Sequence, residues 1–305
     1  MEKSKFVFIA HDSKQSEVLA TPVYSYWESV MRVFFKKKTN VFLLIVILIM
    51  CLMAFIQPMI SGYDPMETPN INDPAMRFLT PSVAYPFGTD DVGNSVFDMV
   101  WAGTKTSLTI GLLVTSINVF IGVIVGGIWG ISKQFDKIMI EVYNIISSVP
   151  YILVVTVMMY ALGTGFWQLV FAMCLTGWLS VAYFIRTQVM IIRDREYNLA
   201  SRCLGTPKLR LVGKNILPYQ ISIVMTVISR EIPAAISSEV VLSFLGIGLT
   251  LDVPSLGRML NKYATYFNGY PHLFWAPVIV LAIVSISLYV LGQSLADASD
   301  PRSHM

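Results

Sequence analysis

The sequence predicts an all-α integral membrane protein with six transmembrane helices and with both termini in the cytoplasm. Three observations lead to this fold class. Hydrophobic residues make up 55% of the 305 residues and charged residues only 13%, whereas about 25% of the residues in soluble domains are charged. Several windows contain the roughly 20 apolar residues that a helix needs to cross a bilayer. Lysines and arginines are dense in some connecting segments and sparse in the others, which orients the spans.

The predicted spans follow the apolar runs in chain order. They are residues 41–60, 107–131, 142–162, 166–185, 216–240 and 273–291. A short turn, Gly163-Thr164-Gly165, separates the third span from the fourth. No signal peptide precedes the first span, so this span is expected to act as an uncleaved anchor.

Positive side chains cluster before span 1, between spans 2 and 3, and between spans 4 and 5. Because such residues are enriched in cytoplasmic loops, this asymmetry places both termini in the cytoplasm. The opposite segments contain only Arg77, Lys105, Arg258 and Lys262. The predicted cytoplasmic set is Arg32, Lys36, Lys37, Lys38, Lys133, Lys137, Arg186, Arg193, Arg195, Arg202, Lys208, Arg210 and Lys214.

Five regions follow from this topology. Residues 1–40 form a cytoplasmic N-terminus in which residues 24–35 are aromatic and amphipathic, as expected for a helix in the membrane interface or for a soluble helix that touches a partner. After the first span, residues 61–105 form an extracellular loop whose many prolines and acidic residues favour an irregular lid or partner surface. Residues 106–295 form a five-helix core that includes a cytoplasmic segment at 196–215, and residues 296–305 form a cytoplasmic tail.

Several kinds of chemistry have no support in the sequence. There is no GxxxxGK[ST] phosphate loop and no HExxH motif, and His11, His272 and His304 are scattered. The three cysteines form no CxxC pair, which argues against a disulfide framework or a thiolate metal site. We therefore expect no catalytic residue, no cofactor or metal on this chain, and no nucleic-acid partner.

Span 2 carries a ladder of glycines, Gly122-xxx-Gly126-xxx-Gly130, on one helix face. Small residues at this spacing let a second helix approach closely. Two interpretations remain open, a mobile helix contact that lines a gate and simple tight packing.

Span 5 contains three ionisable residues, Arg230, Glu231 and Glu239. Charged side chains are costly in hydrocarbon and should face protein or water. Arg230 and Glu231 are adjacent, so their side chains point about 100° apart on a helix. They are candidates for a hydrophilic translocation path, and pairing with a neighbouring chain explains them equally well.

Residues 196–205 form a polar, basic island between apolar spans. Good helix formers predict a short helix over residues 197–204, with Gly205 as its stop. Thr206 and Pro207 are expected to cap and begin a second helix. The small residues Ala200 and Ser201 would let the first helix seat in a groove of another protein. A solvated cytoplasmic loop is the alternative.

At these residues the sequence resembles the EAA loop of ABC importer permeases. The family pattern is E-A-A-x-x-x-G followed by I-x-L-P, and this chain has Leu199-Ala200-Ser201, then Gly205, then Ile216-Leu217-Pro218. Leu199 replaces the acidic residue and Ser201 the second alanine, so the family's acidic contact is missing while the spacing to the glycine is kept. The resemblance implies an ATPase-coupling role for Tyr197, Leu199, Ala200, Ser201, Arg202, Gly205 and Thr206.

Other motifs resemble the C-subunit type of dipeptide, oligopeptide and nickel permeases. They are an FGTDxxG segment at 87–93, an ExxLSFLGxG segment at 239–248, a PSxG segment at 254–257 and an LxDxxDPR segment at 295–302. The sequence of residues 141–144 and 196–202 is especially similar to that of oligopeptide permeases of the OppC and AmiD type. The resemblance covers nearly the whole chain.

The resemblance implies the ABC type I importer permease fold in the cell membrane. It also implies a heterodimer with a B-type permease subunit, two ATPases of the OppD and OppF type that hold ATP and Mg, and an extracellular peptide-binding protein. The expected substrate is an oligopeptide, with dipeptides or nickel chelates as alternatives. A self-sufficient secondary carrier or channel would require inverted repeats and half-helices, which the sequence does not display.

Overall fold

The computed structural model describes residues 25–68, 70–250 and 252–300. This part of the chain is mainly helical, and its only β-type pairing is an isolated bridge between Thr89 and Ser95. The predictions for residues 1–24 and for the closing Pro301-Arg302 lie outside the described residues.

Ten helices make up the described fold, together with short turns of other helical types. A 3-10 turn, Pro74–Met76, lies in the loop after α2. One α-turn (Lys208–Arg210), a π-turn (Leu211–Ile216) and a 3-10 turn (Leu217–Gln220) lead into α8. The helices are α1 Tyr26–Lys36, α2 Lys38–Ser61, α3 Val96–Ile131, α4 Lys133–Ser147, α5 Tyr151–Leu162, α6 Phe166–Arg193, α7 Glu196–Cys203, α8 Ile221–Phe244, α9 Leu256–Ala264 and α10 Pro271–Ala298.

Five helical segments of the described chain are long and apolar enough to cross a membrane: α2, α3, α6, α10 and the run Lys208–Phe244 that ends in α8. Helices α4 and α5 together are also long and apolar enough, although their axes bend by 80° at the break between them. The prediction of six spans is met when this pair counts as one broken span. Pro150 explains the break within predicted span 142–162, since proline lacks an amide hydrogen and disfavours helix at the preceding residue. With 12 residues, α5 alone reaches about 18 Å, which is too short for a span.

Three helices extend well beyond their predicted spans. Helix α3 begins at Val96 instead of residue 107, because Ser95 caps it and Asp98 lies in its first turn. The last residues of the predicted loop 61–105 are therefore helical. Helix α6 continues to Arg193, past residue 185, and α10 runs to Ala298, into the predicted tail.

The amphipathic N-terminal helix is confirmed as α1. Val30 and Phe34 are buried against the bundle while Trp27 is half exposed. The Tyr26 hydroxyl donates a hydrogen bond to the Ser299 carbonyl at 2.8 Å. This bond brings the two ends of the described chain to the same end of the bundle. A location of α1 in the membrane interface remains a prediction.

Helix α3 lies at the centre of the bundle and packs on α2, α6 and α8. Its glycine ladder faces α6: a Cβ on Gly122 or on Gly130 would come within 2.6 Å of the Cβ of Val181 or of Val189. Real side chains do not approach so closely, so these glycines allow the two backbones to meet. Within this chain the ladder is a tight packing contact.

The two ends of the bundle differ in character. At the loop end, residues 62–68 and 70–95 follow a mostly irregular course and pack onto α9. The Lys262 amine lies 2.8 Å from the buried Asp90 carboxylate and 2.6 Å from that of Asp91. At the opposite, basic end, α7 and the turns after it carry Arg202, Lys208 and Arg210, all exposed.

Candidate functional site

The end of α7 has the geometry expected around Gly205. Gly205 adopts a φ of +84°, a left-handed conformation that costs L-residues about 1 kcal/mol or more. Its amide donates to the Arg202 carbonyl at 3.0 Å, and the Thr206 amide donates to the Ser201 carbonyl at 3.1 Å. These two bonds form a Schellman motif, which satisfies the last carbonyls of the helix. The prediction that Gly205 stops this helix is confirmed.

The predicted second helix differs from the structure. Thr206 does not cap it; the N-cap residue is Pro207, whose ψ of 149° is extended and whose carbonyl accepts the Leu211 amide at 3.0 Å. Thr206 is already used to close the Schellman motif, so the chain needs one further extended residue before it turns. The helix that follows is a single α-turn that widens into a π-turn. Such π-turns are frequent at functional sites.

Helix α7 is held to the bundle by polar contacts that the sequence did not reveal. The buried Asn198 side chain donates to the Ile192 carbonyl at the end of α6 at 2.9 Å. Asn215 of the π-turn donates to the Ser201 hydroxyl at 3.2 Å, and that hydroxyl donates to the Tyr197 carbonyl at 2.9 Å. The structure thus uses Ser201 to tie α7 to the π-turn. Asn198, a polar residue about 100° around α7 from Tyr197, is the signal in the sequence that could have indicated the first contact.

An arginine network connects the same corner to the central helix. The Arg193 guanidinium donates to the Gly130 carbonyl of α3 at 2.7 Å and lies 3.1 Å from the Asp194 carboxylate. Arg202 of α7 lies 3.8 Å from that carboxylate on its other oxygen. These three contacts connect α7 to the last turn of α3.

Residues 196–220 leave large apolar side chains uncovered. Leu204 is 87% exposed, Tyr219 73% and Leu209 69%. Tyr197, Ala200 and Leu204 recur at intervals of three and four residues, so they share one side of α7. Leu199 and Tyr197 are also exposed, and the Tyr197 and Tyr219 rings are 6.5 Å apart. We name this set the coupling surface: Tyr197, Leu199, Ala200, Leu204, Leu209 and Tyr219.

Exposed apolar groups of this size mark a surface that contacts another protein or the membrane. The basic residues Arg202, Lys208 and Arg210 stand beside the coupling surface and are themselves exposed. The surface can therefore bury aliphatic and aromatic area against a partner while its rim meets acidic groups. In a protein interface this combination of apolar core and charged rim is common.

The structure does not bring the three charged residues of span 5 together. Glu239 is enclosed: the Ser107 hydroxyl of α3 donates to its Oε2 at 2.6 Å and the Ser243 hydroxyl donates to its Oε1 at 2.7 Å. Arg230 lies on the exposed face of α8, and Glu231 is half-buried beside it. Glu239 thus joins α8 to α3 inside this chain, whereas Arg230 and Glu231 line a cavity of about 190 Å³ with Ser180 and Thr226.

A second charged cluster, at the start of α4, was also not predicted from the sequence. The Asp136 carboxylate pairs with the Arg186 guanidinium and accepts a hydrogen bond from the Trp129 indole at 2.7 Å. Arg186 lies over the rings of Trp129 and Tyr183 at 5.4 and 5.5 Å. In the sequence, Arg186 was only one of many positive residues, and Asp136 had no visible partner. The cluster fastens α4 to α3 and α6.

The loop end carries the strongest electrostatic contact outside the spans. Burial alone would lower the pKa of the Lys262 amine, but the carboxylates of Asp90 and Asp91 outweigh this effect and raise the pKa above its usual value. The Asp90 carboxylate also accepts the amides of Val92 and Asn94, at 3.1 and 2.8 Å. This network holds the loop against α9.

No group of three or more histidine, cysteine, aspartate or glutamate side chains is arranged to hold a metal ion in residues 25–68, 70–250 and 252–300. The site described by these residues is thus a surface and a charged helix face.

Comparisons with known proteins agree with one another. Residues 118–304 match the family described as "Binding-protein-dependent transport system inner membrane component". Residues 25–81 match the "N-terminal TM domain of oligopeptide transport permease C". These two matches cover α1 to the end of the chain except for a short stretch of loop and helix between them.

Three relatives are similar over nearly their full length. The oligopeptide transport system permease protein AmiD of Streptococcus pneumoniae is 48% identical over 100% of this chain and 99% of its own. The oligopeptide transport system permease protein OppC of Bacillus subtilis is 33% identical over 98% of this chain and 97% of its own length. The dipeptide transport system permease protein DppC of the same species is 32% identical over 97% of this chain and 92% of its own length.

Proposed function

The chain belongs to the family of binding-protein-dependent transport system inner membrane components, and we propose that it is a permease subunit of an ATP-driven oligopeptide importer. The oligopeptide permease AmiD is 48% identical to this chain, whereas the dipeptide permease DppC is 32% identical. Oligopeptides are therefore the preferred substrate over dipeptides.

The observation that carries the proposal is the coupling surface at the basic end. Tyr197, Leu199 and Leu204 lie on or directly after a short helix outside the long spans, and two polar links fix that helix to α6 and to the π-turn. Leu209 and Tyr219 lie in the turns that lead from it into α8. A rigidly mounted apolar surface is suited to transmit force from a partner. We propose that the partner is one of two ATPases of the OppD and OppF type, which hold ATP and Mg, and that the basic end lies in the cytoplasm.

The proposed cycle follows from this mounting. Closure of the two ATPases pulls on residues 197–206, and this chain rotates against a B-type permease subunit. A path between the two permeases then turns from inward-facing to outward-facing and receives a peptide from an extracellular binding protein. Arg230 and Glu231 are proposed to line that path, while Glu239 holds α8 to α3 as it moves. This chain itself performs no hydrolysis in the cycle.

Uptake by the reconstituted complex tests the proposal. Vesicles with this chain, the second permease, both ATPases and the binding protein should accumulate a hexapeptide only when ATP is present on the ATPase side. The Gly205→Val variant should keep ATP hydrolysis but lose most uptake, because valine is strained at positive φ and shifts α7. Gly213→Val is the matched control, since Gly213 has no positive φ and open space around its Cβ position.

Two outcomes would count against the proposal. Uptake by this chain in vesicles without ATP and ATPases would indicate a secondary carrier instead. Normal uptake by the assembled Gly205→Val complex would separate α7 from the coupling of ATP hydrolysis to transport.

A further inference from the structure

Two exposed helix faces of this chain differ in chemistry although both belong to membrane-spanning helices. The exposed side of α2 consists of large apolar residues, among them Ile45, Leu48, Leu52 and Ile56. Such a face is suited to lipid. The exposed side of α8 is different: its residues are Arg230, Ala234, Ser237, Val241 and Phe244, at intervals of four, three, four and three. We name this set the α8 stripe.

An arginine on a lipid-facing surface in mid-span is unfavourable by about 2.5–3.5 kcal/mol even by insertion scales. Ala234 and Ser237, which follow Arg230 on the α8 stripe, are small, so they leave space beside the guanidinium instead of covering it. The Arg230 end of the α8 stripe is therefore suited to water or to a polar ligand and not to lipid tails. It also adjoins the 190 Å³ cavity whose lining includes Ser180, Thr226 and Glu231.

Arg230 and Glu231 form no ion pair with any other residue in the described part of the chain. Their neighbours in the cavity, among them Ser180, Phe184 and Thr226, are all uncharged. A positive and a negative side chain thus stand next to each other in mid-helix without internal compensation. Their charges are available to something that arrives from outside this chain.

We propose that Arg230 and Glu231 compensate the charged termini of the peptide during its passage, Arg230 the C-terminal carboxylate and Glu231 the N-terminal ammonium. The inference rests on the proposed function as a peptide permease. A guanidinium binds a carboxylate through two parallel hydrogen bonds, and a glutamate carboxylate accepts from an ammonium. Peptides with free termini carry one group of each kind whatever their sequence.

This arrangement suits a path that must pass many different peptides. An extended peptide separates its termini by about 3.3 Å per residue, so the two termini reach the charged pair at different times. One pair of side chains can therefore serve peptides of several lengths. The α8 stripe runs from Arg230 towards a loop-end cavity of about 710 Å³ that is lined in part by Thr164, Ser243 and Asn261.

Transport of matched peptides by the complete reconstituted complex tests the inference. The probe is one hexapeptide in three forms: with free termini, with an amidated C-terminus and with an acetylated N-terminus. Rates are measured at saturating binding protein and expressed relative to wild type for each form. We expect Arg230→Gln to slow the free form about tenfold more than the amidated form, because only the free form loses a charge-assisted bond. Glu231→Gln should slow the free form more than the acetylated form.

Two further variants on the same helix serve as controls. Arg230→Lys keeps the positive charge and should retain most of the preference for the free carboxylate. Ser237→Ala removes a neutral group from the α8 stripe and should leave the ratio of rates at its wild-type value.

Three results would overturn the inference. An equal loss for all three peptide forms in Arg230→Gln would mean that the residue does not sense the carboxylate. Loss of the second permease from purified Arg230→Gln complexes would show that Arg230 pairs with that chain. Absence of ATP-driven uptake by the wild-type complex would instead refute the proposed function, and the inference with it.

Discussion

The loop end and the basic end of this bundle differ in how their side chains are covered. At the loop end, Lys262, Asp90 and Asp91 pair with one another, and the irregular segment is closed against α9 by groups of the same chain. At the basic end, α7 is anchored by Asn198 and Ser201 but leaves Leu204 and Leu209 uncovered. The difference teaches that charged groups of this chain hold the loop end together, whereas the basic end leaves large apolar side chains exposed, which we propose an ATPase covers.

The largest expected effect comes from a charge placed on the coupling surface. Leu204→Glu should weaken retention of the ATPases by at least about tenfold, because the burial of a leucine stabilises a complex by about 1.5–3 kcal/mol and a glutamate there would be desolvated. Co-purification from detergent-solubilised membranes measures the effect. Val83→Glu introduces the same charge at a fully exposed residue of the loop end and should leave ATPase retention unchanged. Equal retention in both variants would contradict the contrast between the two ends.

The two ends should also respond differently to loss of a cation. Lys262→Met leaves the buried Asp90 uncompensated, so the free energy of unfolding should fall by about 2–3 kcal/mol, the low end for a buried pair because Lys262 is 35% exposed. Arg202→Met removes the exposed partner of Asp194 and should change stability by no more than about 0.5 kcal/mol. Thermal unfolding in detergent compares the variants. Similar losses in both would mean that the loop-end network is no stronger than a surface pair.

A smaller effect concerns alkaline pH. The pKa of Lys262 is raised in the folded chain, so its contribution to stability is fully present below the unfolded pKa and is lost as pH rises through the folded pKa. Unfolding followed from pH 9 upward should therefore show a loss of stability in the wild type that is weaker in Lys262→Met. If stability falls with pH in parallel in the wild type and in Lys262→Met, Lys262 is not the cause of the loss.

Local features of the fold were predictable from the sequence. The apolar runs gave the spans because a bilayer demands about 20 apolar residues from each. Gly205 was predictable as a helix stop because a left-handed residue is a property of one position and its two neighbours. Residues 24–35 gave helix α1 because their amphipathic period is contained within the segment itself.

Features that depend on tertiary packing were not predictable. Nothing local distinguishes Glu239, which is enclosed by serines of α3 and α8, from Arg230, which is exposed on the same helix. The capping rule placed Thr206 at the start of a helix, but the Schellman motif had already used that residue. The partner of Asp136 lies on α6, 50 residues further along the chain, and no pattern in the sequence joins the two.

The membrane orientation of the two ends can be tested on the same molecule. In intact cells, a membrane-impermeant maleimide should label a Val83→Cys variant from outside and leave Cys203 unlabelled, because the basic end is predicted to be cytoplasmic. Labelling of Cys203 from outside would reverse the predicted topology.

The most direct test of the coupling surface uses Cys203, an exposed native cysteine at the end of α7. In opened membrane vesicles, its rate of modification by a bulky maleimide is measured with and without the two ATPases, with Val83→Cys as a reference at the loop end. If an ATPase covers the coupling surface, it should strongly slow the modification of Cys203 and leave the rate at position 83 unchanged. Equal labelling of Cys203 in the presence and absence of retained ATPases would contradict docking at this surface.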